Sequence, residues 1–138
     1  MTTELEALLP EGWPRPKGYS NGIRVPAGRD LVFVAGMIGW DAQERVVSDD
    51  FVAQLEQALR NVVAIVERAG GGSPDIVRMT IFVTDLEAYR TRLPDIGDAW
   101  RRVMGRHYPV MALIQVAGLL EPGALVEIEA TAAVLPHP

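Results

Sequence analysis

Cysteine is absent from this 138-residue chain, which excludes disulfides, thiolate metal sites and a cysteine nucleophile. Any chemistry must use other groups. No stretch reaches the ~20 uninterrupted apolar residues that a membrane span requires, so membrane insertion is not expected. The first ten residues, which include Glu4 and Glu6, lack both a basic n-region and a long apolar run. They do not read as a secretory signal, and a cytoplasmic location is the default expectation. Positive charge is scarce: 18 acidic residues stand against 13 basic ones, a net charge of −5. That balance opposes long-range attraction to phosphate backbones unless the bases cluster. Arg101, Arg102, Arg106 and His107 do cluster, but late in an expected helix, where cations complement the negative end of the dipole. The cluster reads as a solvated helix terminus, and nucleic acid is not an expected partner.

What is present fits one globular domain covering residues 1–138, long enough to bury roughly two thirds of the surface that the unfolded chain exposes. Residues 1–18 are rich in Pro and Gly (Pro10, Gly12, Pro14, Pro16, Gly18) and are expected to form an arm without regular structure. A short strand is expected over Asn21–Val25 and a buried one over Leu31–Met37, an apolar, partly β-branched run. Ser48 and Asp49 offer N-cap chemistry ahead of Leu55, Leu59, Val62 and Val66, which recur at helical spacing. Gly70 then stands where a left-handed residue ends a helix. The glycines from Gly70 to Gly72 follow a helix instead of a strand and precede no Lys-Ser/Thr pair, so they are read as a helix stop and not as a phosphate cradle.

Ile76 to Val83 alternates, with Val77, Met79, Ile81 and Val83 on one face and Arg78, Thr80 and Phe82 on the other. Thr84 and Glu87 have the spacing of a capping box for a second helical region that reaches about Met104, interrupted at Pro94. Val110 to Val116 and Leu125 to Val134 complete the set as strands, the last alternating Glu127, Glu129 and Thr131 with Val126, Ile128 and Ala130. This order predicts an α+β fold: a two-layer mixed sheet of about six strands with two helices on one face. Strands apolar on both sides leave the other face uncovered, which predicts association with further copies of the chain.

Several blocks, in order from about Gly18 to Leu135, resemble the RidA/YjgF family. They are Gly18-Tyr19-Ser20, the run from Leu31 to Ile38, the helix from Gln54 to Gly70, the stretch from Ile76 to Asp85, and the stretch from Gly123 to Ala130. The last two are the more specific. The resemblance implies a fold similar to the Bacillus-type chorismate mutase and a homotrimer with ligand clefts between subunits. It also implies hydrolysis of reactive enamines and imines, released by pyridoxal-phosphate enzymes, to a keto acid and ammonia without any cofactor or metal. Carried over by motif, Tyr19 lines the cleft, Glu127 positions water, and Gly36 lets backbone approach the ligand. Taken alone, a Tyr in a Pro-rich arm is more often a packing residue, and an acid on a terminal strand is more often solvated or paired across the sheet.

One departure bears on specificity. The family's deaminases keep an arginine shortly after a proline at the start of a strand; here the stretch Pro109-Val110-Met111-Ala112-Leu113 puts Met111 in its place. A guanidinium grips a carboxylate bidentately, and a thioether neither pairs with it nor neutralises it. Ala35, Met37 and Leu93 likewise stand where the family often has polar groups, so a pocket of Met37, Trp40, Met111 and Leu113 is expected to be apolar and to suit a flatter or less charged small molecule. The substrate expected is an enamine or imine from amine or aromatic-compound catabolism, not a standard 2-imino acid, with Arg24 or Arg106 as a relocated cation. The alternative is a ligand-binding or regulatory trimer without turnover. A ribonuclease or translation inhibitor, labels that the family has carried, is the weakest reading, given the acidic balance and the lack of a histidine pair.

Overall fold

Near the N-terminus, β1 (Glu6–Leu8) pairs antiparallel with β2 (Gly22–Arg24). The main body begins at β3 (Asp30–Ile38), which leads through α1 (Phe51–Arg68) and a short 3-10 turn at Ser73–Asp75 to β4 (Ile76–Val83). From there the chain passes through α2 (Leu86–Arg90) and α3 (Leu93–Met104) to the edge strand β5 (Val110–Gln115) and ends on β6 (Val126–Val134). This computed structural model describes residues 2–137. The sheet order is β3-β6-β4-β5, with β6 antiparallel to both neighbours and β5 parallel to β4. A parallel pair needs a crossover, and α2 with α3 supplies it.

The fold is thus α+β with a mixed sheet and helices packed on it, as expected. Two details differ. The six strands divide into a four-stranded and a two-stranded sheet, and the arm holds a strand that the sequence reading made irregular. Glu6, Ala7 and Leu8 are exposed, so no buried-face alternation marks them, and pairing with β2 alone makes them a strand. The arm is also pinned by Arg29, whose side chain is 8% exposed. Its guanidinium donates to Thr3 O at 2.6 and 2.9 Å, to Ala133 O at 2.7 Å and to Asp75 Oδ1 at 3.0 Å.

Helix starts follow from local chemistry. The N-cap of α1 is Asp50, whose carboxylate accepts from Ala53 N at 3.0 Å, while Ser48 Oγ accepts from Asp50 N at 2.9 Å; Ser48 supports the cap and Asp49 does not form it. The expected box at Thr84 is replaced by Asp85, which accepts from Glu87 N at 3.0 Å. Thr84 N donates to Leu125 O and so prolongs the β4–β6 pairing, which delays the helix by one residue. The second helical region divides at Thr91 and Arg92, and α3 starts at Leu93 with Pro94 in its first turn, where proline's missing N–H costs nothing. Gly70, with φ +89°, ends α1, its N–H bonded to Glu67 O and that of Gly71 to Val66 O, the two bonds of a Schellman motif.

The core lies between the sheet and the helices. Leu55, Leu59, Val62 and Val66 of α1 are fully or almost fully buried against Met79, Val83, Ile128 and Ala132, and burying such an aliphatic side chain stabilises by about 1.5–3 kcal/mol. Met79, Ile81 and Val83 face this core as the alternation predicted, whereas Arg78, Thr80 and Phe82 do not. Gln54 is the one buried polar side chain among the described residues. It donates to Ser48 O and Gly123 O and accepts from Leu125 N, at 2.8 to 2.9 Å, so α1 fixes the turn that leads into β6. The opposite sheet face stays open, with Leu31 58% and Phe33 75% exposed and Ile114 half exposed.

Candidate functional site

Tyr19 reaches its position through the residue after it. Ser20 N donates to Pro109 O at 3.1 Å and Ser20 Oγ to Tyr108 O at 2.5 Å, and Ser20 bridges Val110 in parallel. The arm is thereby stitched to the start of β5, beside Met111. Between them opens a cleft of about 450 Å³ lined by Tyr19, Tyr89, Leu93, Trp100, Met111 and Leu113. Its wall is aromatic: the Trp100 and Tyr108 rings stack with centroids 6.0 Å apart and planes 3° apart. Trp100 Nε1 donates to His107 O at 3.1 Å, which holds the indole in place. Burial raises the pKa of Tyr89 above its ordinary value, so its phenol stays protonated at neutral pH. Tyr19 is 44% exposed.

Glu127 lies elsewhere. It stands beside Phe82 in the register of β6 with β4, on the sheet face away from the helices, whereas Met111 stands beside the buried Met79 on the helix side. Because side chains alternate across a strand, Glu127 and Met111 occupy opposite faces of the sheet within one chain. Gly36 belongs with Glu127: a Cβ added there would lie 2.7 Å from Glu127 Cδ and 3.0 Å from Oε1. The glycine makes room for the carboxylate side chain, and the pairing of β3 with β6 shifts register between Val34 and Met37, as a bulge does where a side chain is re-aimed.

Of the expected pocket residues, the structure therefore brings Tyr19, Met111 and Leu113 together, with Leu93. It does not bring Met37 or Trp40 to this cleft. Past the register shift Met37 stands opposite Ile128 and packs against the core, and Trp40 lies beyond the strand in a bridge with Val46, its carbonyl accepting from Asn61. Of the two candidates for a relocated cation, Arg24 does not line this chain's cleft and pairs with Glu6 at 2.8 Å where β1 meets β2. Arg106 lines the adjoining hollow, and the exposed rim of the cleft carries Lys17, which the sequence reading passed over, and Arg101, which it took only for part of a solvated helix terminus. Helical spacing held the signal for Arg101, since Leu93, Gly97 and Arg101 recur every four residues and share the cleft-facing side. His107 is not part of a solvated terminus, because its Nε2 lies 2.6 Å from Ile76 O. Among the described residues no group of three or more His, Asp or Glu side chains could hold a metal ion, and no helix is long and apolar enough to cross a membrane.

The family model described as Endoribonuclease L-PSP matches residues 14–134. The chain belongs to the RidA/YjgF family. Among RidA-type relatives, a RutC family protein of Pyrococcus abyssi is 30% identical over 129 residues, covering 92% of this chain and 95% of that protein. A protein of Salmonella typhimurium named 2-iminobutanoate/2-iminopropanoate deaminase is 35% identical over 105 residues, covering 74% and 78%. The crystal structure of YyfB of the Rid family, from Yersinia pestis, superposes with a TM-score of 0.83 at 28% identity, covering 95% of this chain and 99% of that one.

Proposed function

We propose that the protein hydrolyses a reactive enamine or imine without a cofactor, in a cleft completed by a second copy of the chain within a homotrimer. The enamine takes a proton on carbon to become the imine. Water adds to the carbon of the protonated imine while Glu127 accepts a proton, which gives the carbinolamine. The same carboxyl returns that proton to the nitrogen, and the C–N bond breaks as the hydroxyl loses its proton to solvent, leaving the carbonyl product and ammonia. Tyr19 donates a hydrogen bond to the bound molecule. The observation that carries this reading is the setting of Glu127: a half-buried carboxylate over the space that Gly36 leaves, with no ion pair among the described residues. A carboxylate so placed has both oxygens available to orient water.

Within one chain Tyr19 and Glu127 lie on different faces of the sheet, so a shared site needs a partner. The exposed Leu31 and Phe33 on β3 and Ile114 on β5 offer apolar side chains for it, at the two edges of a face whose middle carries Arg78, Thr80, Glu129 and Thr131. Met111 in the wall of the Tyr19 cleft supports a substrate that carries no acid group on the imine carbon, because a desolvated carboxylate left unpaired beside a thioether costs several kcal/mol.

The test is ammonia release from freshly generated imines. Wild type is expected to act on imines that lack an adjacent carboxylate and to stay near background with 2-iminopropanoate, and Met111→Arg to gain activity on the latter. Glu127→Gln is expected to lose at least ~100-fold in rate. Robust wild-type turnover of 2-iminopropanoate overturns the specificity argument, and full activity in Glu127→Gln overturns the role of the acid.

A further inference from the structure

The chain is acidic overall, yet the only charged residues that line its aromatic cleft and the hollow beside it are bases. The hollow, about 560 Å³, is bordered by Arg15, Pro16, Gly18, Arg101, Arg106 and Tyr108. It shares Gly18, Arg101 and Tyr108 with the cleft, whose rim adds Lys17. No acidic residue lines either space, although acids outnumber bases 18 to 13 in the sequence. Arg101 pairs with Asp98 at 2.6 Å on the exposed side of α3, which leaves guanidinium donors available. Arg15, Lys17 and Arg106 form no ion pair among the described residues. Elsewhere most bases are matched: Arg24, Arg29, Arg60, Arg90, Arg92 and Arg102 each have a carboxylate partner, while Arg45, Arg68 and Arg78, which are scattered and line neither space, have none among the described residues.

We infer that cleft and hollow together bind an amphipathic carboxylate, its flat apolar body against Trp100, Tyr108 and Met111 and its acid group at the rim, held by Arg101 and Arg106 with Arg15 and Lys17 near. The cleft interior offers no cation at Met111, and the rim offers four. A molecule that satisfies both must keep its carboxylate several bonds away from the part lying beside Tyr19. A 2-imino acid, whose carboxylate sits on the imine carbon, fails this requirement. An imine with a flat apolar body and a remote carboxylate meets it. Naming the bound molecule as a substrate rests on the deaminase reading above; the binding claim does not. Guanidinium pairs favour carboxylates through bidentate, charge-assisted hydrogen bonds, and a rim largely without acids concentrates the positive potential where the ligand enters.

Calorimetric titration of the full-length protein with 4-phenylbutanoate and its neutral counterpart 4-phenylbutanamide tests this, at low and at moderate salt. The acid is expected to bind at least ~10-fold more tightly than the amide, with the advantage shrinking as salt rises. Arg101→Gln and Arg106→Gln are each expected to weaken the acid by about 3- to 10-fold and to leave the amide unchanged, which a loss of folding would not do. Equal affinity for acid and amide, or indifference of the acid to both substitutions, overturns the inference. So does binding of a short oligouridylate through Arg101 and Arg106 with none of 4-phenylbutanoate, which makes the rim a nucleic-acid contact. Turnover and binding by wild type separate the two claims. If wild type prefers 4-phenylbutanoate to the amide as expected while it turns over no imine of any class, the binding claim stands and the deaminase reading falls. If imines are hydrolysed but the acid has no advantage over the amide, the reverse holds.

Discussion

At the scale of single residues, Gly36 illustrates how a position can serve a neighbour. Its backbone φ is not in the left-handed region that favours glycine, so conformational freedom does not explain it. The space that it leaves does, because a Cβ would intrude to 2.7 Å from Glu127 Cδ. The atom displaced belongs to the end of a flexible side chain, so Gly36→Ala can be accommodated by turning the carboxylate away. Gly36→Ala is therefore expected to fold with a melting temperature within a few degrees of wild type while imine hydrolysis falls at least ~10-fold, since a shift of about 1 Å in a positioned group costs rate steeply. Loss of activity together with a large drop in melting temperature makes the glycine a packing requirement instead. The sequence suggested that Gly36 admits a ligand; the structure shows which side chain it admits, and no pattern along one strand could have named a residue on β6.

At the scale of elements, α1 joins the strongest periodic signal in the sequence to a start set by charge. Asp50 caps the helix, and its carboxyl pKa is lowered from the ordinary 3.8, first by the hydrogen bond from Ala53 N–H and then by the one from Arg92. Arg92 Nη1 lies 3.0 Å from Asp50 and its Nε 2.8 Å from Asp95 in the first turn of α3, so one side chain ties both helix starts. A depressed carboxyl contributes stability that is fully present above its unfolded pKa and is lost as pH falls through the folded value. Asp50→Ala is expected to cost about 1 kcal/mol at pH 7, the typical loss for an N-cap. Denaturant melts of variant and wild type should converge as pH drops below 3.8, and an unchanged gap at pH 3 rules out the carboxylate as the source. The long elements were legible because burial repeats along them: α1, β4 and β6 show in the sequence the faces that they bury. β1 was not, because a three-residue exposed strand owes its form to a partner sixteen residues away. Lys17 and Arg15 escaped for a similar reason, since a Pro-rich arm has no period from which to read a facing side.

At the scale of the whole molecule, the sheet separates what the proposed chemistry must unite. Tyr19 and Met111 open on the helix side near the edge strand, and Glu127 sits on the other face, the face that also carries the exposed Leu31, Phe33 and Ile114. The sequence foresaw the open face from strands apolar on both sides, but which candidate residues share a chain's own cleft depends on register, which pairing across β3, β6, β4 and β5 decides. If a site takes Tyr19 from one copy and Glu127 from the next, two crippled chains can mend each other. Tyr19→Phe and Glu127→Gln, each of low activity alone, are to be unfolded together in equal amounts and refolded. Random assortment in a closed ring leaves intact those sites that draw the good tyrosine from one variant and the good glutamate from the other, so about a quarter of wild-type activity is expected to return. A site confined to one chain gives no recovery, because every chain in the mixture carries one of the two defects. Refolding each variant alone supplies the baseline, and sedimentation of the mixture supplies the number of copies, expected to be three. Recovery above baseline in a three-copy species places the reacting groups on neighbouring chains, and a monomeric species that still turns over imine excludes the shared cleft altogether.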